Sequence, residues 1–513
     1  MDVSSIRKRI LVTLFILSNV SLLFSQQNIK RVSSADELLS SLKYLKKADI
    51  VELMPGEYDL KSNVQIQAVA DKDNPIIIKA KEYGTVKIIG NSSFCFKNSS
   101  FVTLEGLEFI SNNSPAVELL GCNNVRITNN VFHLHENQKI SWLIISDEEG
   151  AVKNTSHHNR VDHNLFENKR LLGNFITIEG TMAPEFQISQ HDLIDNNYFR
   201  NIGPRVENVL EAIRVGSSYV SLSSGFTVIE NNLFEKCDGD PEVVSIKSSD
   251  DTVRYNTFRE CLGVLSLRHG NRSTVDGNYF LGNGRTGEFL DSTNKRWKLG
   301  TGGVRFCGDN MKIINNYFEG LTGINWDASL ALTNGDADYG MGLPLTKHYR
   351  SRYILVAFNT FVNNKSNVEI GYDGGGFQNN WWKLPPSEVT IANNIVVGEE
   401  GKLIDMITKP LNSLIIGNYL FPQKKAVVGI NFSSEEVKVI DPMFEKSGDL
   451  LRLSKNSPIR KKSVGKFPVV SKDIDGQFRS EKTDPGCDEL SGVQKINKPL
   501  NKDDVGPSWY KNK

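Results

Sequence analysis

The sequence predicts an all-β fold: a single-stranded right-handed parallel β-helix with an N-terminal cap and an extended C-terminal tail. Three observations predict it. A tetrapeptide of the form Asn-Asn-x-Phe recurs as Asn129-Asn130-Val131-Phe132, His163-Asn164-Leu165-Phe166, Asn196-Asn197-Tyr198-Phe199, Asn231-Asn232-Leu233-Phe234 and Asn315-Asn316-Tyr317-Phe318, with variants ending at Phe258, Phe280, Phe361, Val396 and Leu420. From Phe132 onward these anchors are spaced 34, 33, 35, 24, 22, 38, 43, 35 and 24 residues apart, so the shortest intervals set the basic turn and the longer ones carry insertions. Between anchors the chain shows short apolar alternations broken by Gly, Asn, Asp and Ser, with little helical periodicity. A propeller blade needs a longer unit, and the leucine register of a leucine-rich repeat is missing.

Stacked turns bring equivalent positions about 4.8 Å apart. Asparagines at one repeat position can then bond side chain to side chain along the stack and support the bend between sheets. The Phe or Leu after each bend stacks inside. The motif is therefore structural, and its asparagines carry no catalytic role.

Taken in order, Met1 to Arg9 are polar and basic, Ile10 to Phe24 are almost wholly apolar, and Ser25-Gln26-Gln27 follow. Residues 1–25 read as a secretory signal peptide, which implies an exported protein, periplasmic or secreted. Residues 26–424 form the β-helix and its cap. Ser33 to Asp49 can supply a short capping helix, and Ala48 to Leu53, Val64 to Gln67, Ile76 to Lys79 and Val86 to Ile89 the first strands. Residues 425–513 form an extended region expected to close the far end of the coil. The six cysteines are widely spaced and do not resemble a disulfide scaffold or zinc ribbon; Cys237 and Cys261 read as stacked, buried neighbours rather than a bond.

Of the 513 residues, 60 are Lys or Arg and 60 are Asp or Glu, so net charge gives no reason to expect a nucleic-acid partner. Any attraction for a polyanion must be local. Four segments supply one: Ala212-Ile213-Arg214-Val215, Ser245-Ile246-Lys247-Ser248, Ser266-Leu267-Arg268-His269 and Gly303-Val304-Arg305-Phe306. On stacked rungs Arg214, Lys247, Arg268 and Arg305 are expected to form one outward column, with Ile213, Ile246, Leu267 and Val304 pointing inward. No acidic ladder is expected at that position. The acids lie just upstream, Glu211 before Arg214 and Asp240 and Glu242 before Lys247, with Asn208 adding a neutral oxygen. Such oxygen donors suit a hard cation such as Ca²⁺, and the lack of a Cys/His cluster disfavours zinc.

A glycosidase would need two carboxyl groups, for which Asp240 and Glu242 are available, but the column of cations matches an acid-bearing substrate better. β-Elimination on a uronic-acid polymer requires removal of the proton beside a carboxylate, and a bound metal makes that proton more acidic. Lys247, flanked by Arg214 and Arg268, has neighbours that favour the neutral amine a base needs.

The stretches Glu211-Ala212-Ile213-Arg214-Val215-Gly216, Asp238 to Ser248 and Leu267-Arg268-His269-Gly270-Asn271 closely resemble polysaccharide lyase family 6, which contains alginate lyases and chondroitinase B. The resemblance spans most of the chain. It implies a parallel β-helix in which Lys247 is the Brønsted base, Arg268 assists proton transfer to the leaving oxygen, and Asn208, Asp240 and Glu242 bind Ca²⁺. The family commonly has Glu where this chain has Asp240, followed by Pro241. Glu211, Arg214 and His269 match further motif positions, Arg214 as a contact to the substrate carboxylate and His269 either as a brace or as a direct participant. Arg305, Lys295 and Trp297 are subsite candidates from charge and aromatic character alone. Trp326, Tyr339, Tyr349, Tyr372, Trp381 and Trp382 lie in long later insertions and are expected mostly to cover the coil, with one or two reaching the groove.

The expected partner is an acidic polysaccharide, alginate first, since the Glu211 to Gly216 and Val243 to Ser248 stretches look closer to the alginate-cleaving members. A dermatan sulfate or chondroitin lyase is the alternative enzyme. The non-enzymatic alternative is an exported polyanion-binding β-helix.

Overall fold

The computed structural model describes residues 28–112, 115–338, 342–375 and 381–511, and in it the chain winds as a parallel β-helix. The expected signal peptide and Tyr339 lie outside the described residues. Each complete turn visits three long sheets in the order I, II, III, which begin with Asn28–Val32, Gly56–Asp59 and Asn63–Ile66. Among the described residues sheets I and II hold 14 strands each and sheet III holds 12, all paired in parallel. No described helix is long and apolar enough to cross a membrane.

The repeat motif makes the bend between sheets I and II. Its first residue adopts the left-handed region, with φ near +55° at Asn129, His163, Asn196 and Asn231, which Asn tolerates better than most residues. Its second residue builds the ladder. Asn130, Asn164, Asn197, Asn232, Asn256, Asn278, Asn316, Asn359, Asn394 and Asn418 form it, each of the first nine donating Nδ2 to the next one's Oδ1 at 2.9–3.1 Å. All ten are buried, and each side-chain amide also donates to a backbone carbonyl, so an Asn→Ala change would chiefly leave the preceding asparagine's backbone N–H without its acceptor, as Asn130 N donates to Asn164 Oδ1 at 2.9 Å. Inside the bend, Phe109, Phe132, Phe166, Phe199, Phe234, Phe258, Phe280, Phe318 and Phe361 stack with ring centroids 4.5–5.2 Å apart.

The N-terminal cap is the helix Ala35–Leu42, shorter than the 33–49 expectation. Ser34 caps it by accepting from the Glu37 N–H, and Leu38 and Leu42 are buried in the coil's core. One strand, Asn28–Val32, precedes the helix and already pairs with Asp49–Leu53.

The far end departs from expectation. Strand Val437–Val439 still pairs in sheet II, so the coil passes residue 424. Beyond it, the tail does not sit on the coil's end but runs back along the outside. Leu450, Ile474 and Cys487 pack on Tyr279 and Tyr317, and Val505 packs on Val131, Leu165, Tyr198 and Leu233. Trp509 Nε1 donates to Asn129 O at 2.9 Å, many turns from where the tail begins. The cause is legible in the strands: Tyr198, Leu233, Tyr279 and Tyr317 are outward-facing apolar side chains of sheet II that need a cover. All six cysteines are free and buried, Cys237 and Cys261 included.

Candidate active-site groove

Sheet III carries the cationic residues on its outer face. In the strands Ile213–Val215, Glu242–Ile246, Val264–Leu267 and Val304–Phe306, the residues Ile213, Val215, Val244, Ile246, Leu265, Leu267, Val304 and Phe306 are buried in the core, which turns Arg214, Ser245, Ser266 and Arg305 outward. The register corrects the expected single column. Arg214 pairs with Ser245, Ser245 with Ser266, and Ser266 with Arg305. Lys247 and Arg268 lie two residues further along and form a second column, their N–H groups donating to Val215 O and Ile246 O at 2.7 Å. A slip of two residues preserves the face, which is why the inward residues agree with expectation while the column does not.

The acid-free neighbourhood is also corrected. Arg214 pairs with Glu179, Lys247 Nζ lies 3.9 Å from Glu211 Oε1, Arg268 Nη1 lies 3.6 Å from Glu242 Oε1, and Arg305 Nη2 lies 2.7 Å from the same oxygen. Carboxylates are thus interleaved with the cations. Glu242 reaches this face because the ladder shifts register between Glu242 and Val244, a bulge that breaks the alternation and re-aims one side chain. Ser245 Oγ donates to Glu242 Oε2, and Ser266 Oγ donates to Oε1 at 3.1 Å. Burial opposes its ionisation, yet Arg268, Arg305 and Lys247 together hold the Glu242 carboxyl well below the usual carboxylate range.

Glu211 and Asp240 behave differently. Burial pushes both upward; mutual repulsion and the Glu242 charge add to this for Asp240, while Lys247 partly offsets it for Glu211. Glu211 Oε2 is buried without a hydrogen-bond partner. Asp240 Oδ1 accepts from Glu242 N at 2.8 Å and its Oδ2 from Leu210 N at 3.4 Å. An orphaned carboxylate oxygen among three buried acids is a donor set suited to a hard cation. Asn208 lies exposed on the loop before Ile213–Val215. Among the described residues no group of three or more His, Cys, Asp or Glu forms a ready metal cage. Glu211 and Asp240 fit such an ion best, while Glu242 is largely engaged by Arg268 and Arg305.

His269 is buried. Its Nε2 accepts from Arg268 Nε at 3.3 Å, its Nδ1 lies 3.5 Å from Ser218 Oγ, and its ring also hydrogen-bonds the Lys347 backbone. Burial, and then Arg268 and Lys247, push its pKa down to about 3, so the ring is neutral and serves as an acceptor that orients Arg268.

Lys295 and Trp297 belong to an antiparallel hairpin, Thr286–Leu290 with Arg296–Gly300, that stands on the edge where the chain enters sheet III. Both are exposed; Lys295 Nζ lies 3.7 Å over the Trp297 ring, and the tip reaches the loop before Ile213–Val215 through Ser292 and Glu207 at 3.4 Å. The contact shown for this hairpin is thus with the loop that leads into Ile213–Val215, not with Lys247 or Arg268. Several close residues were missed. Glu179 lies in a connecting segment without a motif and His348 in a long insertion; Ser245 and Ser266 were also missed, and the Ser-x-Lys and Ser-x-Arg spacing is the signal that could have found them. Of the insertion aromatics, Trp326, Tyr372 and Trp382 cluster beside Arg305, Tyr349 is buried and Trp381 is exposed.

The chondroitinase B family model matches residues 32–435. The chain belongs to the chondroitinase B family, within polysaccharide lyase family 6. Solved structures agree in fold. The PL6 family alginate lyase AlyGC superposes with a TM-score of 0.72 at 24% identity, covering 94% of this chain and 59% of that one, so this chain spans less than two thirds of its length. A family 6 polysaccharide lyase from Pseudopedobacter saltans gives 0.63 at 20% identity over 93% of this chain and 99% of its own. A mannuronic-acid-specific family 6 lyase from human gut microbiota gives 0.61 at 21% identity over 78% and 87%. No curated protein matches.

Proposed function

We propose that this member of the lyase family cleaves a uronic-acid polysaccharide, alginate first, by β-elimination on the outer face of sheet III. The observation that carries the reading is that Lys247 and Arg268 sit on adjacent rungs, side by side on the outward face, with side chains 14% and 32% exposed. In this reading Lys247, as the amine, takes the proton from the carbon beside the uronate carboxylate. The C–H electrons form the new carbon–carbon double bond as the glycosidic C–O bond breaks; Arg268 hydrogen-bonds to the departing oxygen and assists its protonation by water, and the Lys247 ammonium returns its proton to solvent. Arg214 holds a substrate carboxylate, and Arg305, with Lys295 and Trp297 on the rim, extends the positive track along the polymer. Glu242 fixes Arg268 and Arg305 at a common oxygen, so the two guanidinium groups are pre-oriented.

Ca²⁺ fits this reading, held by Asp240 and Glu211, with Glu242 beside them and Asn208 offering a further oxygen from the loop before Ile213–Val215. When bound it withdraws charge from the substrate carboxylate and makes the neighbouring proton more acidic. Calorimetric titration with Ca²⁺ should detect one site that Asp240→Asn removes, and chelation followed by Ca²⁺ should lower and restore the rate. A metal-free protein of full activity would remove the ion from the scheme.

Alginate is favoured because the alginate lyase named above and a mannuronic-acid-specific lyase share the fold, while the matching family model bears the name of a chondroitinase. Purified alginate and dermatan sulfate, each followed by unsaturated-uronate absorbance, separate the two. Absorbance growing on alginate is the expected result; growth on dermatan sulfate alone would reverse the choice. Residues 1–25 as an export signal belong to the same proposal, since such polymers lie outside the cytoplasm.

A further inference from the structure

Two insertions leave sheet III after the strands Leu330–Leu332 and Val368–Ile370, and they are locked together. Gly335 and Leu384 exchange backbone hydrogen bonds at 2.8 and 2.9 Å, and Asn334 Nδ2 donates to Trp382 O at 3.1 Å. Trp382 is buried, and the His348 imidazole lies on its indole with ring centroids 3.9 Å apart and planes at 25°. Trp382 also tilts against Trp326 at 5.6 Å, and the Arg305 guanidinium lies 5.6 Å from the Trp326 ring.

The same block is fastened to the reacting end of the groove. Lys347, next to His348, bonds through its backbone to His269, the ring that accepts from Arg268 Nε. Leu345 N donates to Ser218 O at 2.8 Å, which ties the insertion back to the loop after Ile213–Val215. Arg268 and Arg305 are therefore each one contact away from a side chain or backbone group that leans on the His348–Trp382 pair.

We infer that His348 is a positioning residue, whose stack on Trp382 holds segment 342–351 against the groove so that Arg268, through His269 and Lys347, and Arg305, through Trp326, meet a uronate ring in fixed orientations. An arginine has many rotamers, and a site that leaves them free spends binding energy on ordering them. Burial, together with Arg268 and Arg305, pushes the His348 imidazole well below its ordinary pKa, so the stacked ring is neutral and acts by contact. Nothing in this role asks His348 to move a proton. The kinetic part rests on the lyase reading above; the clamp itself does not.

The test compares His348→Ala and His348→Phe in the full chain, by steady-state kinetics on the cleaved uronate polymer and by amide hydrogen exchange. His348→Ala should lower kcat/KM by about 10–100-fold, the scale of a small misplacement of reacting groups, and speed exchange across 342–349 while leaving the strands Glu242–Ile246 and Val264–Leu267 protected. His348→Phe should restore both, because it keeps the ring. If His348→Ala does not fold, His348→Gln, which removes the ring and keeps most of the bulk, carries the same expectation. Kinetics within twofold of wild type after ring removal, or a Phe variant as impaired as the Ala variant, would overturn the inference. Should the wild type cleave no uronate polymer, the lyase reading fails, and the exchange measurement alone still decides whether His348 clamps the insertion.

Discussion

Lys247→Ala should reduce cleavage by about 10²–10⁴-fold, the range that a positioned general base supplies, without unfolding the protein. The side chain lies outside the core, between the rungs of Gly216 and Arg268, so its removal opens no interior cavity. Among the described residues its close ionic partner is Glu211 at 3.9 Å, too long for a strong hydrogen bond. The loss should therefore fall on kcat, with binding of oligouronates, read by calorimetry, little changed, because Arg214, Arg268 and Arg305 remain. Turnover retained in this variant would reject the assignment of the base. Arg268→Ala should lower the rate as well, but it also frees His269 and Glu242, so its effect on KM should be larger.

Arg452→Ala should destabilise the protein by about 3–5 kcal/mol, the cost of breaking a buried ion pair from one side. The Arg452 guanidinium binds Asp475 in bidentate fashion, both contacts at 2.8 Å, and reaches Asp488 at 2.6 Å. Removing it leaves Asp475, fully buried, with Lys495 at 3.0 Å as its remaining cation. The loss is expected to appear first as release of the tail, because Arg452, Asp475 and Asp488 all belong to it and their chain neighbours Leu451, Ile474 and Cys487 pack on Tyr279 and Tyr317 of sheet II. Denaturant unfolding measures the stability, and limited proteolysis after residue 444 reports the release. A change below about 1 kcal/mol, the scale of a surface pair, would show that the tail is held by its apolar contacts alone.

The fold was legible because it repeats. Asn164, Asn197 and Asn232 recur at one point of every turn, and a hydrogen-bonding residue that recurs next to a buried Phe can be read as a ladder before any coordinate is known. The site was legible only in part. Arg268 and Lys247 could be placed on the outward face from alternation alone, but alternation cannot tell one register from another two residues away, so Arg214 and Arg305 were put in the wrong column. Glu242 shows a second limit: its outward aim depends on a bulge at Val243, which leaves no periodic trace. The pairing of cations with Glu179, Glu211 and Glu242 comes from separate rungs and was invisible for the same reason. His348 and Trp382 lie in insertions, where the repeat stops and with it the means of placing one segment against another. The tail gave extended segments correctly, yet its route depends on which outward apolar residues of sheet II lack a cover, and that follows from the whole stack.

The end group of the product tests the central claim most directly. Elimination leaves each new non-reducing end as an unsaturated uronate, one water lighter than the end that hydrolysis leaves, and mass spectrometry of an alginate digest distinguishes the two. The account predicts unsaturated ends from the wild type and almost none from Lys247→Ala. Saturated ends, or equal yields of unsaturated ends from both proteins, would contradict it.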